Sequence, residues 1–190
     1  MIRAMHVIAP ELLAQHDYKI PDYIASSVQT VDFEVLAQRG IRHVLVDVDN
    51  TLVSFGGSRL QAGAIRHLRE ARRQGVIETL ALVTNSWRNL SRITAALEPT
   101  RVFQPHGLLF KPRQAYYLSV LRALGCRPEE TVMIGDRLVQ DIWGARRAGL
   151  ATVLVKPLGQ DLWIDRLLAT RWHERRLLRH YLPHHPEHWF

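Results

Sequence analysis

The stretch HVLVDVDNTLV, residues 43 to 53, joins an apolar run to two aspartates, Asp47 and Asp49. A short aliphatic run without polar alternation is typical of a strand buried on both faces of a parallel sheet. In open α/β sheets, ligands bind beyond the carboxyl ends of the strands. The stretch therefore predicts a central strand with two carboxylates at the ligand-binding edge.

The rest of the chain alternates between strand and helix patterns. Apolar runs recur at TLALVTN, RVFQPHG, TVMIGD and ATVLVKP; helical spacing marks AIRHLREARRQG, LSRITAALE, RQAYYLSVLRALG and LVQDIWGARRAG. Gly125 and Gly149 are expected to end the last two helices. Apolar strands joined by helices require a parallel sheet covered on both faces. The predicted fold class is a doubly wound, Rossmann-type α/β domain.

The chain of 190 residues is long enough for one well-cored domain and short for two. We expect a single domain over residues 1–190. It would consist of an N-terminal arm (1–39), a catalytic core containing the sheet (40–157) and a basic C-terminal tail (158–190). The tail has an apolar helical stripe that HERR interrupts.

Composition limits the class of protein. Hydrophobic residues make up 47% of the chain and charged residues 23%, which argues against disorder. The single cysteine, Cys126, excludes a disulfide framework, and the N-terminus has no long apolar segment, so we expect a cytoplasmic protein. The net charge of +7 favours anionic partners, although it is equally explained by solubility.

The two aspartates favour a metal site. Side chains two apart in a strand point the same way, so the carboxylates should converge and raise each other's pKa. A hard cation such as Mg²⁺ offsets that repulsion. The alternative is an Asx turn over Asp49, Asn50 and Thr51, with Asp47 as a surface carboxylate.

Three other predicted strand ends carry complementary groups. Thr84 offers a hydroxyl to a phosphoryl oxygen, although Thr84 or Ser86 could instead cap a helix. Lys111, held extended before a proline, can present an ammonium to phosphate, although a lone Lys-Pro pair carries little information. Asp136 and Asp141 add carboxylates at the same edge, with a helix-face position as the alternative for Asp141.

Four short segments resemble, in order, the four motifs of the haloacid dehalogenase superfamily of phosphohydrolases: DVDNT, VTN, KP and GDRLVQD. The sequence around these motifs resembles the YqeG family of subclass IIIA over nearly the whole chain. The resemblance includes the stretch IPDYIASSVQTVDFEVLAQRGIRHVLVDVDNTLV and the arginine-rich tail. That family is also similar to the phosphatidylglycerophosphate phosphatases of mitochondria and plastids. Those enzymes remove a terminal phosphate from a lipid headgroup.

The resemblance implies a Mg²⁺-dependent phosphomonoester hydrolase. Asp47 would attack phosphorus and form an aspartyl phosphate, and Asp49 would act as acid and then base. The phosphate-binding residues would be Thr84, Asn85 and Lys111. The metal site would contain Asp47, Asp49, Asp136 and Asp141. Within it, Asp49 would contribute its backbone carbonyl, and Asp141 would order a metal-bound water or Lys111 rather than bind the ion directly.

The intervals 51–84 and 85–111 are too short for a cap domain, so we expect a capless or minimally capped site. An open site suits a phosphate presented by something large. We therefore expect a phosphorylated substrate such as phosphatidylglycerophosphate, or another large one, and peripheral association with an anionic membrane. The tail contains aromatic and basic residues suited to such an interface, unless they pack on the core or face solvent: Trp163, Arg171, Trp172, Arg175, Arg176 and Arg179.

A different class of function is a binding or scaffolding protein for RNA or a protein partner, with weak residual phosphatase activity. Only the net charge favours it. The basic residues are spread along the chain without the aromatic-basic motif of an RNA-binding domain, so nucleic acid is disfavoured as a partner. The histidines His184, His185 and His188 match no standard metal site. The sequence does not determine the physiological substrate or the oligomeric state.

Overall fold

The computed structural model describes residues 5–7, 20–54, 60–98 and 100–159. One sheet contains seven strands: β1 (Met5–Val7), β2 (Tyr23–Ala25), β3 (His43–Val46), β4 (Thr79–Val83), β5 (Arg101–Phe103), β6 (Thr131–Gly135) and β7 (Ala151–Val155). Their order is β1, β2, β7, β6, β3, β4, β5. All neighbouring strands are parallel except β1, which runs antiparallel to β2. The opening stretch thus begins on a central strand, β3, between β6 and β4.

The described helices are α1 (Phe33–Gln38), α2 (Ala62–Arg73), α3 (Ser91–Ala96), α4 (Gln114–Leu124) and α5 (Gly144–Arg147). A π-helical segment, Leu138–Trp143, leads directly into α5, and 3₁₀ turns lie at Val28–Thr30 and Pro128–Glu130. Helix α4 ends at Gly125, which adopts a left-handed φ of 71°. That end is the one predicted from the glycine.

Helices cover both faces of the sheet. Val44 and Val46 of β3 pack in one core with residues of α1, α2 and α3. Leu45, whose side chain points to the opposite face, packs in a second core with residues of α4 and α5. The predicted doubly wound α/β fold is confirmed.

The N-terminal arm adds two strands that the sequence did not predict. Strand β2 pairs in parallel with β7. The Asp22 carboxylate accepts hydrogen bonds from Thr152 N at 2.9 Å and Thr152 Oγ1 at 2.8 Å, and it pairs with Arg146. The sheet therefore extends outside residues 40–157.

The two intervals that the sequence marked as too short for a cap domain contain only core elements among their described residues. These are α2 and β4 between Thr51 and Thr84, and α3 and β5 between Asn85 and Lys111. No helix in the described ranges is both long and apolar enough to span a bilayer. The tail's helical stripe and histidines fall beyond residue 159, outside the described residues.

Candidate active site

Polar groups meet where the central strands end. Asp47 follows β3, Thr84 follows β4 and Asp136 follows β6, while Lys111 lies in the loop after β5. All four residues are buried. Because the parallel strands end at one edge of the sheet, these groups share the ligand-binding edge that the sequence predicted.

Lys111 joins the groups together. Its Nζ lies 2.5 Å from Asp47 Oδ1 and 2.6 Å from Asp141 Oδ1, and it donates to Val83 O at 3.3 Å. An ammonium has three protons to donate, and these three acceptors can use all of them. Lys111 is thus fixed beside the predicted nucleophile.

The carboxylates outnumber the cation. Asp47, Asp136 and Asp141 offer ligand atoms that lie within 4.8 Å of one another. The hydroxyl of Thr51 lies 3.3 Å from Asp47 Oδ2 and 3.4 Å from Asp136 Oδ1. With all three carboxylates ionised around one ammonium, the cluster carries an excess of two negative charges. A divalent cation fits that charge and these oxygen donors.

Burial and charge shift the pKa values in this cluster. Burial raises the pKa of Asp47 to about 8; the Lys111 ammonium opposes the rise, and the carboxylates of Asp141 and Asp136 add to it. For Lys111, burial alone would lower the pKa, but the carboxylates of Asp141 and Asp47 outweigh burial and raise it. Lys111 therefore stays an ammonium, and an additional cation would favour ionised Asp47.

Asp141 enters the cluster from the π-helical segment. Ile142 N donates to Arg137 O, five residues earlier, at 3.2 Å, and Arg137 N donates to Asp141 Oδ2 at 3.0 Å. A Cβ atom on Gly135 would overlap the Asp141 carboxylate, so glycine is required there. Asp141 is fully buried and belongs to the site rather than to an exposed helix face.

Asn85 fixes the backbone of Lys111. Its Nδ2 donates to Lys111 O at 2.8 Å, and Lys111 N donates to Asn85 Oδ1 at 2.9 Å. This positioning role was not predicted, and the contact of Asn85 with phosphate stays a prediction. Thr84 Oγ1 accepts from Ser86 N at 3.0 Å, and neither residue caps α3, whose N-cap is Leu90.

The carboxylate of Asp49 does not join the described cluster. Its Oδ1 accepts a hydrogen bond from Arg88 Nη1 at 2.7 Å. The convergence of its carboxylate with that of Asp47 stays a prediction. Strand β3 ends at Val46, and the chain then turns, with Asn50 at a φ of 61°. Strand alternation no longer applies there. Arg88 was missed because no local pattern connects it with Asp49.

Exposed apolar side chains lie on three segments that follow strands at this edge, two of them loops and the third the π-helical segment Leu138–Trp143. Trp87 is 73% exposed and follows β4, Leu108 is 72% exposed and follows β5, and Val139 is 45% exposed and follows β6. We refer to these three residues as the apolar rim. The apolar rim thus belongs to the segments that follow β4, β5 and β6, on the same side of the sheet as the polar groups.

Comparison with known proteins identifies related sequences. A family model described as HAD-hydrolase-like matches residues 109–157, a range that includes Lys111, Asp136 and Asp141. The probable phosphatase YqeG of Bacillus subtilis is 27% identical over 160 residues, which cover 84% of this chain and 89% of that protein. Haloacid dehalogenase-like hydrolase domain-containing protein 2 of Bos taurus is 52% identical over 46 residues, only 18% of its own length.

A crystal structure of an uncharacterized protein from Listeria monocytogenes serotype 4b shares the fold. Its TM-score is 0.51 at 19% sequence identity, and the match covers 70% of this chain and 99% of that one.

Proposed function

We propose that this chain, a phosphatase of the haloacid dehalogenase superfamily with a YqeG-like sequence, hydrolyses phosphomonoesters with Mg²⁺ through an aspartyl phosphate on Asp47. The supporting observation is the Lys111 ammonium held between Asp47 and Asp141, beside Asp136. A structural ion pair balances its charges one to one, whereas here two carboxylates contact one ammonium and the carboxylate of Asp136 lies close to both, so carboxylates are in excess among these four residues. Such an excess suits a site that receives a metal cation together with an anionic phosphoryl group.

In the first half-reaction, an Asp47 oxygen attacks phosphorus and the ester bond breaks. Asp49 gives its proton to the leaving oxygen, which departs as an alcohol. In the second, Asp49 takes a proton from water while the water oxygen attacks phosphorus. The bond to Asp47 then breaks, and Asp47 is restored with release of phosphate.

Lys111, Thr84 and Asn85 would bind the phosphoryl oxygens that do not react. Lys111 is the strongest candidate, because its ammonium lies beside the nucleophile and would exchange its longest contact, Val83 O at 3.3 Å, for a phosphoryl oxygen. Asp141 would hold that ammonium in place, since it contacts Lys111 and is itself fixed by Arg137 N. We assign Asp141 to this ordering role within the metal site.

The metal ligands we propose are the carboxylates of Asp47 and Asp136 with the backbone carbonyl of Asp49. These are the hard oxygen donors that Mg²⁺ prefers. When bound, the ion would screen the repulsion between the nucleophile and the phosphoryl oxygens.

The mechanism is tested with 4-nitrophenyl phosphate. Asp47→Asn should reduce turnover to the background rate, and chelation with EDTA should do the same to the wild type until Mg²⁺ is restored. Asp32→Asn is the matched control. Asp32 caps α1 through Val35 N, a bond that an asparagine can replace. Unchanged turnover in Asp47→Asn, or turnover that survives chelation, would contradict the mechanism.

The substrate we propose is a phosphate carried on an anionic membrane surface, with phosphatidylglycerophosphate as the first candidate. Three features support it: no cap domain in the described residues, a net charge of +7 and the apolar rim on segments that follow strands at the same edge of the sheet. Tryptophan is favoured at membrane interfaces, where its apolar ring meets lipid and its N–H meets water. Trp87 and Leu108 would enter the lipid surface while the headgroup phosphate reaches Asp47.

The substrate is tested by phosphate release from phosphatidylglycerophosphate in mixed micelles, with small esters alongside. The double variant Trp87→Ala/Leu108→Ala should lower kcat/KM for the lipid about tenfold or more, the loss expected from unburying two large apolar side chains, and leave 4-nitrophenyl phosphate unaffected. Leu118→Ala on α4 is the control, because Leu118 is 38% exposed and lies on a helix rather than on the rim loops.

Asp47-dependent activity on small esters alone would reject the lipid substrate and keep the mechanism. No activity on any ester would instead favour the binding or scaffolding function for RNA or a protein partner.

A further inference from the structure

The second aspartate of the opening stretch has an arginine partner. Arg88 Nη1 donates to Asp49 Oδ1 at 2.7 Å, and the two side chains are 28% and 17% exposed. We infer that Arg88 is a positioning residue, which holds the Asp49 carboxylate in the orientation that proton transfer requires. The inference rests on the proposed function, in which Asp49 handles the protons of both half-reactions.

The loop that carries Arg88 is fixed by its own hydrogen bonds. Gln104 follows β5 directly, and its Nε2 donates to Ser86 O and to Arg88 O, each at 3.0 Å. Arg88 N donates to Ser86 Oγ at 3.3 Å. The guanidinium is therefore presented from a backbone that is already ordered, which lowers the entropic cost of the pair.

This arrangement assigns separate tasks to the two oxygens of Asp49. Oδ1 accepts from Arg88, and Oδ2 transfers the proton, first to the leaving oxygen and then from the attacking water. Arg88 keeps its own protons throughout, because an arginine does not deprotonate in proteins. Its charge stabilises the carboxylate that remains after the leaving oxygen has taken the proton.

A contribution to folding stability does not by itself explain the ion pair between Arg88 and Asp49. Ion pairs that keep contact with solvent contribute little to folding. A fixed carboxylate has a larger effect on rate, since general acid catalysis depends on the position of the acid relative to the oxygen that it protonates. We therefore expect the removal of Arg88 to affect the proton-transfer step more than the fold.

Substrates with different leaving groups distinguish a positioning role of Arg88 from a purely structural role. The 4-nitrophenolate of 4-nitrophenyl phosphate leaves without a proton, whereas an alkoxide must be protonated. Arg88→Ala should lower kcat/KM about hundredfold for an alkyl phosphate that the wild type hydrolyses, and less than about threefold for the aryl phosphate. Arg88→Lys should recover part of the loss, since it restores a charge but not the planar guanidinium.

Two further variants complete the experiment. Gln104→Leu removes both hydrogen bonds to the loop. It should lower kcat/KM selectively for the alkyl phosphate, by a smaller factor than Arg88→Ala. Arg92→Ala removes an exposed arginine on α3 and should change neither substrate. Thermal unfolding checks the fold, and if Arg88→Ala does not fold, Arg88→Lys and Gln104→Leu decide the question.

Equal losses on the two substrates, or no loss on either, would overturn the role of Arg88. Such a result alongside normal dependence on Asp47 would leave the proposed function standing. Turnover that does not depend on Asp47 would overturn the proposed function and the inference together.

Discussion

Asp47 and Asp49 lie two residues apart in the chain but in opposite surroundings. Asp47 is buried near Asp136 and Asp141 and contacts the ammonium of Lys111, so carboxylates outnumber the ammonium among these four residues. Asp49 lies further out and pairs with the guanidinium of Arg88. The inner carboxylates therefore suit a cation from outside, whereas the outer one is paired with a cationic side chain of the protein.

This difference separates two kinds of residue in the site. Inner residues hold buried charge, so their substitution should change the free energy of unfolding together with the rate. Outer residues hold a partly exposed pair, so their substitution should change the rate with little effect on folding. Variants of the two groups can be ranked by their expected effect on stability.

Lys111→Met should have the largest effect. It leaves Asp47 and Asp141 buried without their cation, which should lower the free energy of unfolding by about 3–5 kcal/mol, the usual cost of breaking a buried pair. Turnover of 4-nitrophenyl phosphate should fall to background. Urea unfolding in the absence of metal measures the first effect, and Lys156→Met makes the same chemical change at a partly exposed position.

The cost of Lys111→Met should also depend on pH. Lys111 lowers the pKa of Asp47, so its loss should raise further a pKa that is about 8 with Lys111 in place. The folded variant then binds a proton that the unfolded chain has released, and stability falls as pH rises through the folded pKa. The loss should be smaller at about pH 5 than at about pH 9. A loss that grows toward acid pH would contradict the charge excess around Asp47.

Asn85→Ala should have an intermediate effect. It removes the amide that bonds both Lys111 O and Lys111 N, so two backbone groups lose their partners. We expect the free energy of unfolding to fall by about 1–3 kcal/mol and turnover to fall about tenfold or more, because Lys111 loses its fixed position.

Asn89→Ala is the matched control for Asn85→Ala. It removes one bond to Ser91 N at an exposed turn before α3 and should leave turnover unchanged. Equal effects of the two variants would show that Asn85 does not position Lys111.

The central sheet and the inner residues could be predicted from the sequence. Continuous apolar runs such as HVLV and TVMIG allow few arrangements other than a parallel sheet, and their polar ends must then meet at one edge. Asp47, Thr84 and Asp136 each follow such a strand directly. The expectation that Lys111 also stands at a strand end was wrong, because β5 ends at Phe103 and Lys111 lies in the loop beyond it. The periodicity and the family motifs therefore led to the same residues.

The supporting contacts could not be predicted in this way. Asn85 bonds a backbone 26 residues away, and Arg88 pairs with a carboxylate 39 residues away. No spacing rule links such residues, since only the folded loops bring them together. Strand β2 was missed for a related reason: YIA is too short to show a pattern, and its pairing with β7 depends on long-range contacts such as that of Asp22 with Thr152.

Asp49→Asn should have the smallest effect on stability. The asparagine keeps an oxygen that can accept from Arg88, and the pair is partly exposed, so the free energy of unfolding should change by less than about 1 kcal/mol. Turnover of an alkyl phosphate should nevertheless fall about 10²–10⁴-fold, the usual contribution of general acid–base catalysis. Chemical denaturation and kcat/KM on the same preparation measure both quantities.

The response to Mg²⁺ makes Asp49→Asn a direct test of the comparison. Our proposal gives the metal the backbone carbonyl of residue 49, so Mg²⁺ should raise the unfolding temperature of the variant as much as that of the wild type. Asp136→Asn removes a proposed ligand and should lose that rise. If Asp49→Asn also loses the rise in unfolding temperature, the Asp49 carboxylate takes part in metal binding. Asp47 and Asp49 would then not have the separate roles that their surroundings indicate.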